Sequence, residues 1–340
     1  MQFQELSSDQ RRELVNTQQR YAAYREVQER ANAYRGSMVW TKLKGREYLV
    51  RSAYTKSGLR RQTSLGLRSK ETEAIKQEFD RGRAEAQSRL RNLKDVIARQ
   101  SAVNRVLGLG RIPLIGAKII RALDQAAMLG SGIRVLCTNA IYAYEAAAGV
   151  RIDPNLTTKE DLDLLFDTRR GLTFAANEKL SQVSLLQFLL RIDRSFTRST
   201  QTFRTVNDEG YLVDLIKPLR NPPSANDSRQ VGADVGDLLT AEMEGLAWHE
   251  SAPVFEAIAI DERGEPCRIV ATDPRVWAAY KLWLSQRQDR ERIKRQRDEF
   301  QARTVARLVA EFMPHLSYDS AQLKMLPPPI FDQAAPLFHH

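Results

Sequence analysis

The chain has 340 residues, 42% of them hydrophobic and 28% charged, with a formal net charge of +10. That length and apolar content allow a real core and two or three domains, and no apolar run approaches the roughly 20 residues of a membrane-spanning helix. The two cysteines, Cys137 and Cys267, lie far apart in apolar runs, and the four histidines (His249, His315, His339 and His340) have no metal-binding spacing. The cysteines therefore read as buried thiols, which excludes a disulfide framework and a zinc site. Residues 1–10 are polar and carry no secretory signal, so the expectation is a cytoplasmic protein with no membrane partner.

The charge is segregated. Residues 1–130 hold 26 Lys and Arg against 13 Asp and Glu, while residues 131–340 hold 26 against 29. A basic N-terminal third suits an anionic partner such as nucleic acid, or is an Arg-rich solvated helical surface. The expected division is a basic N-terminal module over 1–130, a core over 131–272, and a C-terminal helical block with a tail over 273–340.

In chain order, Ser8 or Asp9 can cap a helix running to about Tyr34, and Gly36 ends it. Tyr21, Tyr24, Val27, Ala31 and Tyr34 share one face of it. Residues 38–68 switch to a strand period and predict a three-stranded meander. It interleaves Trp40, Tyr48 and Tyr54 with Lys42, Lys44, Arg46, Arg51, Lys56, Arg60 and Arg61. Either the aromatics stack bases among phosphate-binding cations, or they form the small sheet's core beneath a cationic solvent face. A second long helix follows over about 70–99, with Ile75, Phe79, Leu90, Leu93 and Ile97 as its buried positions. Gly108, Gly110 and Pro113 break it. Gly108-Leu109-Gly110 lacks the following Lys-Ser/Thr of a phosphate loop. Residues 114–129 form a further helix.

Residues 133–137 are a short apolar run that predicts a buried strand. Thr138-Asn139 breaks it, and residues 140–148 are strong helix formers stopped by Gly149. Residues 161–166 predict a strand in which Asp161 and Asp163 share one face and Leu162 and Leu164 the other. Two adjacent carboxylates repel, and a hard cation with oxygen ligands is the usual remedy. Residues 185–190 predict a helix, followed by Arg191, Arg194, Arg198 and Arg204, each able to reach a phosphate or to pair with a carboxylate. Asn207-Asp208-Glu209-Gly210 is a hairpin turn. The strand after it holds Asp214 among apolar neighbours, where an aspartate needs a partner or a task.

Residues 221–235 predict a polar loop, and residues 255–271 a hairpin that extends or borders the core sheet. Asp273-Pro274 opens a helix that buries Val276, Ala279, Tyr280, Leu282 and Trp283. Lys281 lies at the edge of that face, able to present its ammonium to a cleft or to a surface carboxylate. A charge run over 287–297, a Lys294–Asp298 pair, a helix to about Phe312 and a surface tail from Pro327 complete the chain.

Three of these elements together resemble the DNA polymerase β-like nucleotidyltransferase superfamily. They are the strand and turn at Cys137-Thr138-Asn139, the Asp161-Leu162-Asp163 strand and the later Asp214. Residues 40–48, 142–149 and 281–285 further resemble a bacterial family of nucleotidyltransferase-fold proteins. The resemblance implies an α+β fold: a mixed sheet flanked by helices, an N-terminal helical module carrying a small antiparallel sheet, and a C-terminal helical block. It also implies Mg2+-dependent transfer of a nucleoside monophosphate from an NTP to a hydroxyl of RNA, a protein or a small molecule. Asp161, Asp163 and Asp214 would be the catalytic carboxylates and would hold two Mg2+ ions. Thr138, Asn139, Lys281 and Arg194 would contact the nucleotide. The superfamily's turn begins Gly-Ser or Gly-Gly, whereas this chain has Cys137-Thr138. That departure keeps open an alternative from another class, a catalytically inactive nucleotidyltransferase fold acting as a nucleic-acid-binding or regulatory module. The acceptor, the base preference and the oligomeric state are not specified by the sequence.

Overall fold

The computed structural model describes residues 3–54, 60–157, 160–167, 185–220 and 238–339. The expected loop at 221–235 and Lys56 of the meander lie outside the described residues. After a two-residue strand, β1 (Gln4–Glu5), the chain enters α1 (Ser8–Asn32). Its cap is Ser7, one residue ahead of the expected Ser8. The Ser7 hydroxyl accepts from the Gln10 amide at 3.2 Å, and the Gln10 side chain accepts from the Ser7 amide at 3.0 Å. Such a reciprocal box satisfies two of the backbone donors that a helix start leaves free.

The meander forms as expected, with β2 (Ser37–Leu43), β3 (Arg46–Tyr54) and β4 (Arg60–Leu67) antiparallel in that order. Lys44 and Gly45 join β2 to β3 with φ of +48° and +80°, the pair of left-handed residues that a tight hairpin turn needs. Met38, Leu49 and Trp40 face Phe79 and Tyr34 in a small separate core. Arg68 lies 5.1 Å over the Trp40 ring. Trp40 is thus a core residue of the sheet, and Lys42, Lys44, Arg46 and Arg61 are exposed.

Next comes α2 (Lys70–Val106), which runs past the expected end near residue 99 because no Gly or Pro occurs between there and Gly108. Its apolar stripe buries less than the pattern predicts. Ile75 is 44% exposed, while Gln100, Ser101 and Asn104 are buried. These polar residues form a seam. Thr17 of α1 and Gln100 both donate to Asn104 Oδ1 at 3.0 Å, and Asn104 Nδ2 donates to Gly264 O at 2.9 Å. Gly264 is required there, since a Cβ would sit 2.1 Å from Ser101 O. The two long helices are therefore tied by hydrogen bonds to a hairpin of the central sheet.

The central region continues through α3 (Leu114–Gln125), β5 (Ile133–Val135), α4 (Cys137–Ala148), β6 (Val150–Arg151) and β7 (Asp161–Phe166). β6 pairs back onto β1. Then come α5 (Leu185–Leu190), β8 (Thr197–Arg198), β9 (Arg204–Val206), β10 (Leu212–Pro218), β11 (Ala241–Met243), α6 (Leu246–Ser251), β12 (Val254–Ile260) and β13 (Pro266–Thr272). The sheet runs β12-β13-β5-β7-β10-β9-β8, with β11 also on β10. It is mixed: β13 and β5 are parallel, β5 and β7 antiparallel, β7 and β10 parallel. One face carries Leu162, Leu164, Val213 and Leu215 into a core with Ile119 and Ile120 of α3 and Ala140 and Ala143 of α4. On the other face, Leu165 and Ile216 meet Leu136, Leu246, Tyr280 and Leu284.

β5 is shorter than expected, because Cys137 turns to φ +49° and opens α4 instead of ending the strand. Cys137 is accordingly half-buried, and only Cys267 is the fully buried thiol that the sequence suggests. The C-terminal block comprises α7 (Pro274–Ser285), α8 (Arg292–Phe312) and α9 (Pro328–Ala334). Asp273 caps α7, and Pro274 occupies its first turn. The expected surface tail is instead helical, since prolines suit a first helical turn. α9 packs Ala334, Ile330 and Phe331 against Val276, Ala279 and Leu282. The expected Lys294–Asp298 pair is absent: Lys294 bonds Glu291 at 2.8 Å, and buried Asp298 is taken by Lys281 and Arg290.

Candidate active site

Strand register builds the site. β7 and β10 run parallel with Asp163 directly beside Asp214 and Asp161 beside Leu212. Side chains alternate along each strand, so Asp161, Asp163 and Asp214 share one face. Their apolar neighbours Leu162, Leu164, Val213 and Leu215 fill the core behind them. The start of α4 is fixed to the same place. Leu136 N donates to Asp163 O at 2.9 Å, and Asn139 Nδ2 donates to Asp161 O at 2.5 Å. Trp277 of α7 donates its indole N–H to Cys137 O at 3.1 Å, which holds the left-handed turn in position.

Charge follows from this crowding. Burial raises the Asp163 carboxyl to about 6, and repulsion by Asp161 and then Asp214 adds to it. A hydrogen bond from the Cys137 thiol and the positive charge of Lys281 oppose that rise. The Cys137 thiol is raised in turn, first by burial and then by the negative charge of Asp163. Asp214 has an explicit counter-charge. Arg204, its cross-strand partner on β9, donates Nε to Oδ1 at 2.7 Å and Nη2 to Oδ2 at 2.6 Å. The bidentate fork raises the Arg204 pKa, with Asp163 and Asp161 contributing further.

The other expected nucleotide contacts lie in different settings. Thr138 and Asn139 are buried in the first turn of α4. Lys281 is buried too, and its ammonium donates to Asp298 Oδ1 at 2.8 Å while remaining near enough to Asp163 and Cys137 to favour their charged forms. Arg194 is exposed on the turn after α5 and has no ion-pair partner among the described residues. One group, Tyr211, was not legible in the sequence as a neighbour of the expected Asn139. Tyr211, at the start of the β10 segment, has a buried hydroxyl with no hydrogen-bond partner among the described residues, as does Asn139 Oδ1. Both border Gly116 of α3, where a Cβ would meet the Tyr211 hydroxyl at 2.7 Å and Asn139 Oδ1 at 3.8 Å. Only the glycine's lack of a side chain leaves that space, which no strand or helix period signals.

Among the described residues, no group of three or more His, Cys, Asp or Glu side chains is gathered to hold a metal ion. Both oxygens of Asp214 are engaged by Arg204. The donor set still fits a hard divalent cation: three carboxylates on neighbouring strands, with Asp163 raised by burial and further by the charges of Asp161 and Asp214. A cation there would relieve the repulsion that Lys281 offsets only from a distance.

A mixed sheet with paired acidic strands beside a strand-turn-helix defines the α+β nucleotidyltransferase type of fold. A family model described as nucleotidyltransferase matches residues 116–327, and the chain belongs to that nucleotidyltransferase family. The match spans the sheet, α7 and α8, and leaves out α1, the meander and α2. No curated protein and no solved structure matches the chain. No helix among the described residues is long and apolar enough to cross a membrane.

Proposed function

We propose that the protein transfers a nucleoside monophosphate from an NTP to a hydroxyl acceptor. The observation that carries this reading is the in-register placement of Asp163 against Asp214, with Asp161 on the same face, beside the start of α4. In such a reaction the acceptor oxygen attacks the α-phosphorus as the bond to pyrophosphate breaks, and positioning and charge do most of the work. The first amides of α4 and the Thr138 hydroxyl would face the β- and γ-phosphates, where a helix start favours anions. Asn139 holds the backbone of Asp161 in place. Asp214 Oδ1 would take the proton of the attacking hydroxyl once Arg204 yields that oxygen. Lys281 would lend positive charge from behind the carboxylates, and Arg194 would approach the triphosphate from the exposed turn. Mg2+ held by Asp161, Asp163 and Asp214 would neutralise charge on the triphosphate and the leaving pyrophosphate. The basic N-terminal third favours a nucleic acid as the partner or acceptor.

The test is incubation with NTPs labelled at the α-phosphate, with Mg2+ and RNA, DNA or protein acceptors. Asp163→Asn should lower label transfer at least 100-fold while keeping the melting temperature of the parent. Transfer at the parent rate by that variant removes the carboxylates from the chemistry. The second reading, a fold that no longer catalyses, is favoured by Cys137 standing where the superfamily's turn begins with glycine, and by Arg204 holding both Asp214 oxygens. Salt-sensitive nucleic-acid binding without transfer from any NTP would establish it.

A further inference from the structure

We infer that the outward face of the meander β2-β3-β4 is a docking surface for double-stranded DNA. The inference rests on the proposed nucleic-acid partner of the basic third and is independent of the transfer chemistry. The inward face is already covered, since Met38, Leu49 and Trp40 pack on Phe79 and Tyr34. By strand register, Val39 pairs with Val50 and Val50 with Ser64, while Thr41 pairs with Tyr48 and Tyr48 with Leu67. These residues therefore share the opposite, outward face. No element among the described residues covers it: Val39 is 46%, Leu43 60% and Leu67 44% exposed. A single-layer sheet that shows several large aliphatic side chains to solvent is a surface with an occupant.

Charge identifies that occupant as an anion. Residues 37–70 contain nine Lys and Arg and one acidic residue, Glu47, so this short segment carries most of the chain's excess positive charge. Two of those cations are used internally. Arg51 is spent on the backbone carbonyls of Ala33, Arg35, Ser37 and Ser52, and Arg68 on Glu47 and Glu73. Lys42, Lys44, Arg46 and Arg61 are exposed and have no ion-pair partner among the described residues; Arg46, opposite Leu43, belongs to the outward face and Lys44 to the turn beside it, while Lys42 and Arg61 flank the sheet from the side of Leu49. The Lys44-Gly45 turn projects three of the four at one hairpin tip.

Shape selects among nucleic acids. Three strands at the usual spacing span about 10 Å between outer backbones, which suits a B-form major groove about 12 Å wide. Small aliphatic and hydroxyl side chains on the outward face match base edges and thymine methyl groups. The major groove of duplex RNA is too deep and narrow for such a face. A single strand is held mainly by stacking on exposed aromatics. Here Trp40 lies on the inward face under Arg68, and Tyr48 on the outward face is only half-exposed.

The experiment is fluorescence anisotropy of the full chain with a 24-base-pair DNA duplex, the matching single strand and an RNA duplex, over a range of salt. The DNA duplex should bind at least tenfold tighter than the other two, with affinity falling steeply as salt rises. Lys44→Glu with Arg46→Glu should weaken duplex binding at least tenfold and flatten the salt slope by about two. Arg292→Glu with Lys294→Glu, an equal change of charge on α8, should weaken it less than threefold. Lys44→Gly places the residue best suited to a positive φ at that turn, so it keeps the hairpin, and it should weaken binding two- to fivefold. A preference for RNA or single strands overturns the duplex assignment while leaving a nucleic-acid partner in place. Equal losses from the two charge reversals overturn the assignment to this face. Absence of binding to all three probes overturns both this inference and the partner reading beneath it.

Discussion

Cys137 shows how one backbone angle organises the site. Its φ of +49° is a conformation that glycine adopts freely and a residue with a Cβ adopts at a cost of about 1 kcal/mol or more. The turn persists because it is held from two sides: Leu136 N on Asp163 O and the Trp277 indole on Cys137 O. The thiol does something that glycine could not, since it donates to a carboxyl that burial and Asp161 push upward. A comparison of Cys137→Gly with Cys137→Ala isolates the backbone, because both lose the thiol. In an ordinary helix Ala is favoured over Gly by about 1 kcal/mol. Here the order should reverse, with the Gly variant more stable by about 1 kcal/mol in urea unfolding. An Ala variant as stable as the Gly variant would mean that residue 137 is not left-handed.

Elements were legible where a strong period coincided with clear punctuation. The three-stranded meander, the Asp161–Phe166 strand, the Asn207–Gly210 turn and the Asp273-Pro274 helix start all fall where the sequence puts them. The common face of Asp161 and Asp163 follows from strand alternation alone, but their pairing with Asp214 depends on register between strands about fifty residues apart, which local pattern does not carry. The counter-charge on Asp214 could be guessed only as one arginine among four. The period misled most in α2, where apolar Ile75 is 44% exposed and polar Asn104 is fully buried. Pattern reading assigns burial to apolar residues, whereas this helix docks through hydrogen bonds. Asn104 joins Thr17, Gln100 and the Gly264 carbonyl in one buried cluster. Asn104→Ala leaves those partners unsatisfied and should cost about 2–3 kcal/mol in chemical unfolding. Ile75→Ala should stay within about 0.5 kcal/mol. A larger loss at Ile75 than at Asn104 would restore the apolar stripe as the docking face.

At the scale of the whole molecule, the site face of the sheet is roofed by α6 and α7, and the roof contains a titratable group with no outlet. His249 of α6 is 1% exposed, and neither ring nitrogen has a hydrogen-bond partner among the described residues. It packs edge-on against Tyr280 of α7, with ring centres 4.6 Å apart. Burial lowers its pKa from the ordinary 6.5 to about 3, and the positive charges of Lys281 and Arg134 push it the same way. Arg134 is itself fixed to this roof, donating to His249 O and Ala252 O at 3.0 Å. The folded protein thus keeps His249 neutral over a range in which the unfolded chain protonates it. Between those two values the unfolded state binds more protons, so stability falls as pH falls. The contribution is fully present above pH 6.5 and is lost progressively down to about pH 3. In that window His249 adds a slope of up to about 1.4 kcal/mol per pH unit. His249→Phe fills a similar volume without a titrating group, so unfolding free energies of parent and variant should diverge steadily as pH is lowered from 6.5, with the variant less acid-sensitive. Parallel curves over that window would show that His249 takes up its proton in the folded state as readily as in the unfolded chain.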